Sequence, residues 1–96
     1  MRRAGKIDAN QPEIVSALRS VGATVQSLAA TGGGVPDLLV GFRKQTYLLE
    51  VKDGSKPPSA RELTKDQIDW HMSWWGGPCQ VVNSVTEALI AIGATQ

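Results

Sequence analysis

Asp37, Glu50 and Lys52 are the residues of this chain whose types and spacing suit chemistry. A Pro36-Asp37 pair opens one apolar run, Leu38-Leu39-Val40, and Glu50-Val51-Lys52 closes the next, Tyr47-Leu48-Leu49. If the two runs are antiparallel strands with a turn centred on Arg43 and Lys44, the register sets Asp37 directly across from Glu50. Like charges facing each other across a ladder repel, and a divalent cation removes that repulsion. Lys52 shares a face with Glu50 because side chains alternate along a strand. Two carboxylates and an ammonium at one end of a hairpin suit hydrolysis of a phosphodiester by a metal-bound water. Mg²⁺ takes oxygen ligands and uses one or two carboxylates while keeping several waters, so Asp37 and Glu50 are the expected ligands of Mg²⁺ or Mn²⁺. The Val51 main-chain carbonyl, lying between Glu50 and Lys52, is a further candidate ligand. Lys52 is expected to orient the attacking water or to stabilise charge on the phosphate. A plainer reading competes. Asp before a strand is common turn chemistry, and Glu-x-Lys suits the polar face of an edge strand that avoids pairing with other chains.

The surrounding pattern supplies elements to hold these residues. Asn10 or Gln11 is placed to cap a first helix, with Pro12 near its favoured first position. Ile14, Leu18 and Val21 recur at helical spacing as its core face, and Gly22 ends it. Strands are expected over residues 24–29, 37–42 and 45–51. Residues 53–63, with Pro57-Pro58, read as a polar, mobile connection without periodicity. Thr64-Lys65-Asp66-Gln67 is a capping box for a second helix running to about Trp75. Gly76-Gly77-Pro78 stops that helix, Cys79 to Val82 is a short apolar strand, and Ser84-Val85-Thr86-Glu87 is a second capping box. The last helix carries Val85, Ala88, Leu89 and Ile92 towards the core. The expected order is αβββαβα, an α/β domain with a mixed central sheet and helices on both faces. Residues 1–9 read as a basic N-terminal tail and residues 10–96 as one domain.

The run Pro36-Asp37 … Glu50-Val51-Lys52 resembles the PD-(D/E)xK nuclease superfamily, and within it the chain looks most like the virus-type replication-repair nuclease (VRR-NUC) domains and the archaeal Holliday-junction resolvases. The Thr31-Gly32-Gly33-Gly34 loop ahead of Pro36-Asp37 is similar to the Ser/Thr-Gly-rich loop of those resolvases. The resemblance implies a restriction-endonuclease-like core and a metal-dependent DNA endonuclease, selective for junctions or forks, in recombination, repair or phage DNA processing. It implies that Glu13, in the first helix, supplies a further metal ligand and catalytic carboxylate. It also implies that Gln67 faces the site from the second helix as catalytic support. Glycine lets the main chain approach a phosphate closely, so Thr31, Gly32 and Gly33 are candidate DNA contacts. Lys56 and Arg61, following the motif, are further candidates.

With 96 residues the chain is one domain, and its net charge of +1 does not by itself advertise nucleic-acid binding. The distribution is more informative: Arg2, Arg3 and Lys6 cluster ahead of the domain, and Lys56, Arg61 and Lys65 follow the motif. One cysteine, Cys79, excludes an internal disulfide and a zinc cluster of thiolates, and reads as a small buried residue of a cytoplasmic protein. No segment is long and apolar enough to span a membrane, no secretory leader is expected, and no organic cofactor is implied. No Gly-Lys-Ser/Thr follows the glycine loop, so it is not a P-loop. His71 is expected at the surface or in an interface. Ile68, Met72 and Trp75 share one stripe of the second helix while Trp70 and Trp74 point elsewhere; the left-over aromatic pair suggests a dimer contact or a base-stacking platform, and the resemblance to dimeric resolvases implies the homodimer contact. Two other readings stand beside the nuclease: a DNA-binding module of the same fold with little or no cleavage, and a small interaction protein whose acidic hairpin end is merely solvated.

Overall fold

A two-residue turn sets the register of the hairpin that carries the candidate residues. In the computed structural model, which describes residues 7–94, β2 (Leu38–Phe42) and β3 (Gln45–Val51) pair antiparallel with Phe42 opposite Gln45 and Leu38 opposite Leu49. One step further along the same register, Asp37 falls opposite Glu50. The turn residues Arg43 and Lys44 have φ of 50° and 65°, the left-handed conformations of the mirror-image turns that match strand twist. Neither residue is one that favours this region. Lys44→Gly is expected to stabilise the chain by roughly 0.5–1 kcal/mol, the relief of left-handed strain less the added freedom of the unfolded glycine. A urea titration reads this directly, and a lowered midpoint would contradict it.

The remaining elements are α1 (Gln11–Ser20), β1 (Thr24–Ser27), a 3₁₀ turn (Pro58–Ala60), α2 (Lys65–Ser73), β4 (Cys79–Val82) and α3 (Val85–Ala91). The chain is α/β, with a mixed sheet in the order β1-β2-β3-β4: the first three strands are antiparallel and β4 runs parallel to β3. The sheet's two faces differ in character. Leu38, Val40, Leu49, Val51 and Val82 pack with Ile14 and Leu18 of α1 and with Ala88 and Ile92, forming the core. Asp37, Leu48, Glu50 and Lys52 alternate to the other face, and so do Cys79 and Val81 of β4; α2 lies there. No residue of α2 is fully buried, so this second layer is held chiefly by polar contacts. No helix of the described residues is long and apolar enough to cross a membrane.

The helix signals hold in part. Thr64 and Gln67 form both halves of the capping box. Ser84 accepts from the Glu87 N–H, but the Glu87 carboxylate turns to the main-chain and side-chain N–H groups of Asn83. Asn10 stands at the N-cap of α1 without capping it, because its side-chain amide donates to the carbonyls of Lys52 and Asn83 instead. Three expectations need correction. Val21 is 40% exposed because α1 ends at Ser20 and Val21 belongs to the cap. The second helix stops at Ser73, where Trp74 turns extended. The connection after β3 is internally bonded: Asp53 Oδ1 accepts from the Ser55 N–H and hydroxyl, and Arg61 Nε donates to the Lys56 carbonyl. The basic cluster Arg2, Arg3 and Lys6 lies outside the described residues.

Candidate active site

β2 begins at Leu38, so at Val51 the β2–β3 ladder has already ended. The residue in register with Val51 is Pro36, which has no N–H to offer a ladder. The Asp37 carboxylate serves the Val51 N–H in place of a ladder carbonyl: its Oδ2 accepts that N–H at 2.7 Å. A strand residue's N–H and C=O point to the same side, so the Val51 carbonyl faces the Asp37 flank. Asp37 is 9% exposed and Glu50 2%. Glu50 is pushed up to about 9, first by burial, then by hydrogen bonding to Asp37 and by the like charge of Asp37; Lys52 opposes this, and Asp8 adds to it. Two carboxylates held together away from water share a proton unless a cation replaces it.

Gln67 joins the remaining groups. Lys52 Nζ donates to Gln67 Oε1 at 2.9 Å, and Gln67 Nε2 donates to Glu50 Oε2 at 3.2 Å. The same Oε1 accepts the Thr64 N–H at 2.9 Å, closing the capping box. One amide therefore caps α2 and bridges Lys52 to Glu50. The helix start is locked in turn by Gly34, whose φ is +86° and where a Cβ would stand 2.2 Å from the Asp66 carbonyl oxygen.

Two residues join the site without having been expected there. His71, anticipated at the surface or in an interface, is instead largely covered: its side chain is 16% exposed and its Nε2 lies 3.8 Å from Glu50 Oε1. Burial, then the Lys52 charge, holds its imidazole below the ordinary histidine pKa. Its Nδ1 lies 3.6 Å from Cys79 Sγ, and Cys79, expected as a small buried residue, is half-buried with a thiol pushed up by burial and by Glu50. The signal for His71 was its spacing, four residues after Gln67 on one helix face. The other is Asp8, assigned to the tail, whose carbonyl accepts the Gln11 N–H and whose charge reaches Glu50.

Other candidates lie apart from the pair. Glu13 is exposed and lines a cavity of about 330 Å³ with Asn10, Asp53, Arg61 and Glu87, which neither Asp37 nor Glu50 lines. Arg61 thus stands among acidic groups, and Lys56 Nζ is 4.0 Å from Asp8. Thr31 and Gly33 are exposed, and Gly32, Gly33 and Gly34 follow one another at φ of 66°, 68° and 86°.

The residues fit a divalent cation. Glu50 Oε1 is buried with no hydrogen-bond partner, and the Asp37–Glu50 pair is a hard oxygen donor set. Among the described residues no three His, Cys, Asp or Glu side chains stand together as ligands. A cation at the pair would therefore rest on Asp37, Glu50, the Val51 carbonyl and water, a set that suits Mg²⁺ or Mn²⁺. Searches for relatives found no matching protein-family model, curated protein or solved structure.

Proposed function

We propose that this chain is a Mg²⁺- or Mn²⁺-dependent DNA endonuclease of the PD-(D/E)xK type, selective for junctions or forks. The observation that carries the reading is the buried Asp37–Glu50 pair tied through Gln67 to Lys52. A solvated acidic edge would not sequester two carboxylates or push one of them up to about 9. A bound divalent ion supplies charge neutralisation and a water of lowered pKa. Asp37 and Glu50 would hold the ion, Gln67 would fix the Glu50 carboxylate, and Lys52 would offset charge growing on the phosphate oxygens. In the hydrolysis this arrangement would support, a water oxygen bonds to phosphorus as the phosphorus–ester oxygen bond breaks, one water hydrogen ending on the leaving oxygen and the other on the new phosphate. The glycine loop and Thr31, with Lys56 and Arg61, are the assigned DNA contacts. Glu13 keeps no place in the ligand set because it opens onto the neighbouring cavity.

A second copy of the chain is the occupant we assign to the exposed apolar side chains of Ile68 and Met72 on α2 and of Trp75 beyond its end, which are 44%, 79% and 97% exposed. The deciding experiment is cleavage of supercoiled plasmid and synthetic four-way junctions in Mg²⁺, Mn²⁺ or EDTA, comparing wild type with Glu50→Gln. Cutting that needs both the ion and Glu50 is expected, with two symmetric cuts per junction from a dimer. Single nicks would remove the second copy. DNA bound but never cut would replace the enzyme by a binding module.

A further inference from the structure

Glu50 has two oxygens, and they are treated differently. Oε2 accepts from Gln67, whereas Oε1 is buried with no hydrogen-bond partner. Facing it, His71 Nε2 is also buried and unpartnered, 3.8 Å away. That separation is too long for a hydrogen bond. Leaving either atom so is costly in a dry site, and two such atoms aimed at each other mark a place for a third group. Two ligands of one tetrahedral ion, each about 2.0–2.1 Å from it, stand roughly 3.4 Å apart, so a shift of a few tenths of an ångström lets one ion touch both.

We propose that Glu50 and His71 form a binding position for a Zn²⁺-class divalent transition ion, adjacent to the Asp37 side of the pair and sharing only Glu50 with it. The other ring nitrogen supports this. Nδ1 lies 3.6 Å from Cys79 Sγ, and the tautomer in which Nδ1–H donates to that sulfur is the one that turns the Nε2 lone pair to Glu50. Metal-binding histidines are commonly oriented through the second nitrogen in this way. Imidazole nitrogen suits Zn²⁺, while Mg²⁺ prefers an all-oxygen shell, so the two positions differ in the ion they accept. Lys52 opposes a cation here, and Asp37 and Asp8 favour it; Lys52 is tied to Gln67. An ion in this position competes for the carboxylate that the proposed hydrolysis uses. The position itself does not depend on that reading.

The sequence contains one histidine, so a tag-free chain labelled with ¹⁵N-histidine reports on His71 alone. Titration with Zn²⁺ is expected to move the Nε2 resonance and leave Nδ1 protonated, with no such change in Mg²⁺. The shift should be lost in Glu50→Gln and kept in Cys79→Ser. An unmoved Nε2, a shift at Nδ1, or a response that survives Glu50→Gln would overturn the proposal. Cleavage in Mg²⁺, read on the same samples, separates the two readings. Cutting by a protein whose Nε2 ignores Zn²⁺ overturns this position alone; Zn²⁺ on Nε2 in a protein that cuts nothing sustains this position and removes the hydrolysis.

Discussion

Lys52→Met is expected to slow cleavage by about 10²–10³, the usual cost of deleting one group that stabilises transition-state charge, while DNA binding and the folded state persist. Lys52 is half-buried, and its Nζ is held at 2.9 Å from Gln67 Oε1. It cannot drift as a surface lysine does, so its charge is fixed relative to Glu50. Methionine keeps an unbranched apolar stem, one heavy atom shorter, but brings no charge and no donor. Gln67 stays in place because the Thr64 N–H still donates to its Oε1. Single-turnover cleavage, with binding and the thermal midpoint measured in parallel, isolates the loss. A rate within a few-fold of wild type would take Lys52 out of the mechanism. Lost cutting together with a collapsed midpoint would reassign it to structure.

Glu50→Gln is expected to raise the thermal midpoint at pH 8 in EDTA, although it removes a central residue of the site. The sign follows from proton linkage. Glu50 has a folded pKa of about 9 against an ordinary 4.5, so between those values the folded chain keeps a proton that the unfolded chain has released. The stabilisation is fully present below about pH 4.5 and is lost as pH rises towards 9. The slope across that window is at most about 1.4 kcal/mol per pH unit for one proton. Glutamine has no proton to lose, and its amide can still donate to Asp37. The variant's profile should therefore be flatter, with a midpoint at pH 8 higher by on the order of 10 °C. Adding Mg²⁺ or Mn²⁺ should reverse the ranking by stabilising wild type only. Parallel pH profiles for the two proteins would show that Glu50 does not hold the excess proton.

The hairpin was the most legible part of this chain. Once a two-residue turn is placed at Arg43 and Lys44, pairing is forced residue by residue, and strand alternation puts Asp37, Glu50 and Lys52 on one face. The turn was legible from where the apolar runs stop, since neither residue is a usual left-handed turn former. The polar side of the site was harder to read. Gln67 looked sufficient as a capping residue, yet one amide has an oxygen and a nitrogen to spend, and the structure uses both. His71 depends on how α2 docks, and that helix has no buried face to reveal its orientation in the pattern of apolar residues. Asp8 was hidden by its position ahead of the first helix, where a charge reads as tail, although it adds to the field that raises Glu50.

All three tryptophans of the chain, Trp70, Trp74 and Trp75, fall within or just beyond α2. Trp70 stacks on Trp74 with ring centroids 5.0 Å apart, and Trp75 is 97% exposed. Intrinsic fluorescence is therefore an optical channel tuned to this one helix and blind to the α1–α3 side of the sheet. Circular dichroism, by contrast, averages over every helix and strand. Unfolding curves from the two signals that separate would record α2 leaving the sheet while the core stays intact, carrying Gln67 and His71 away with it.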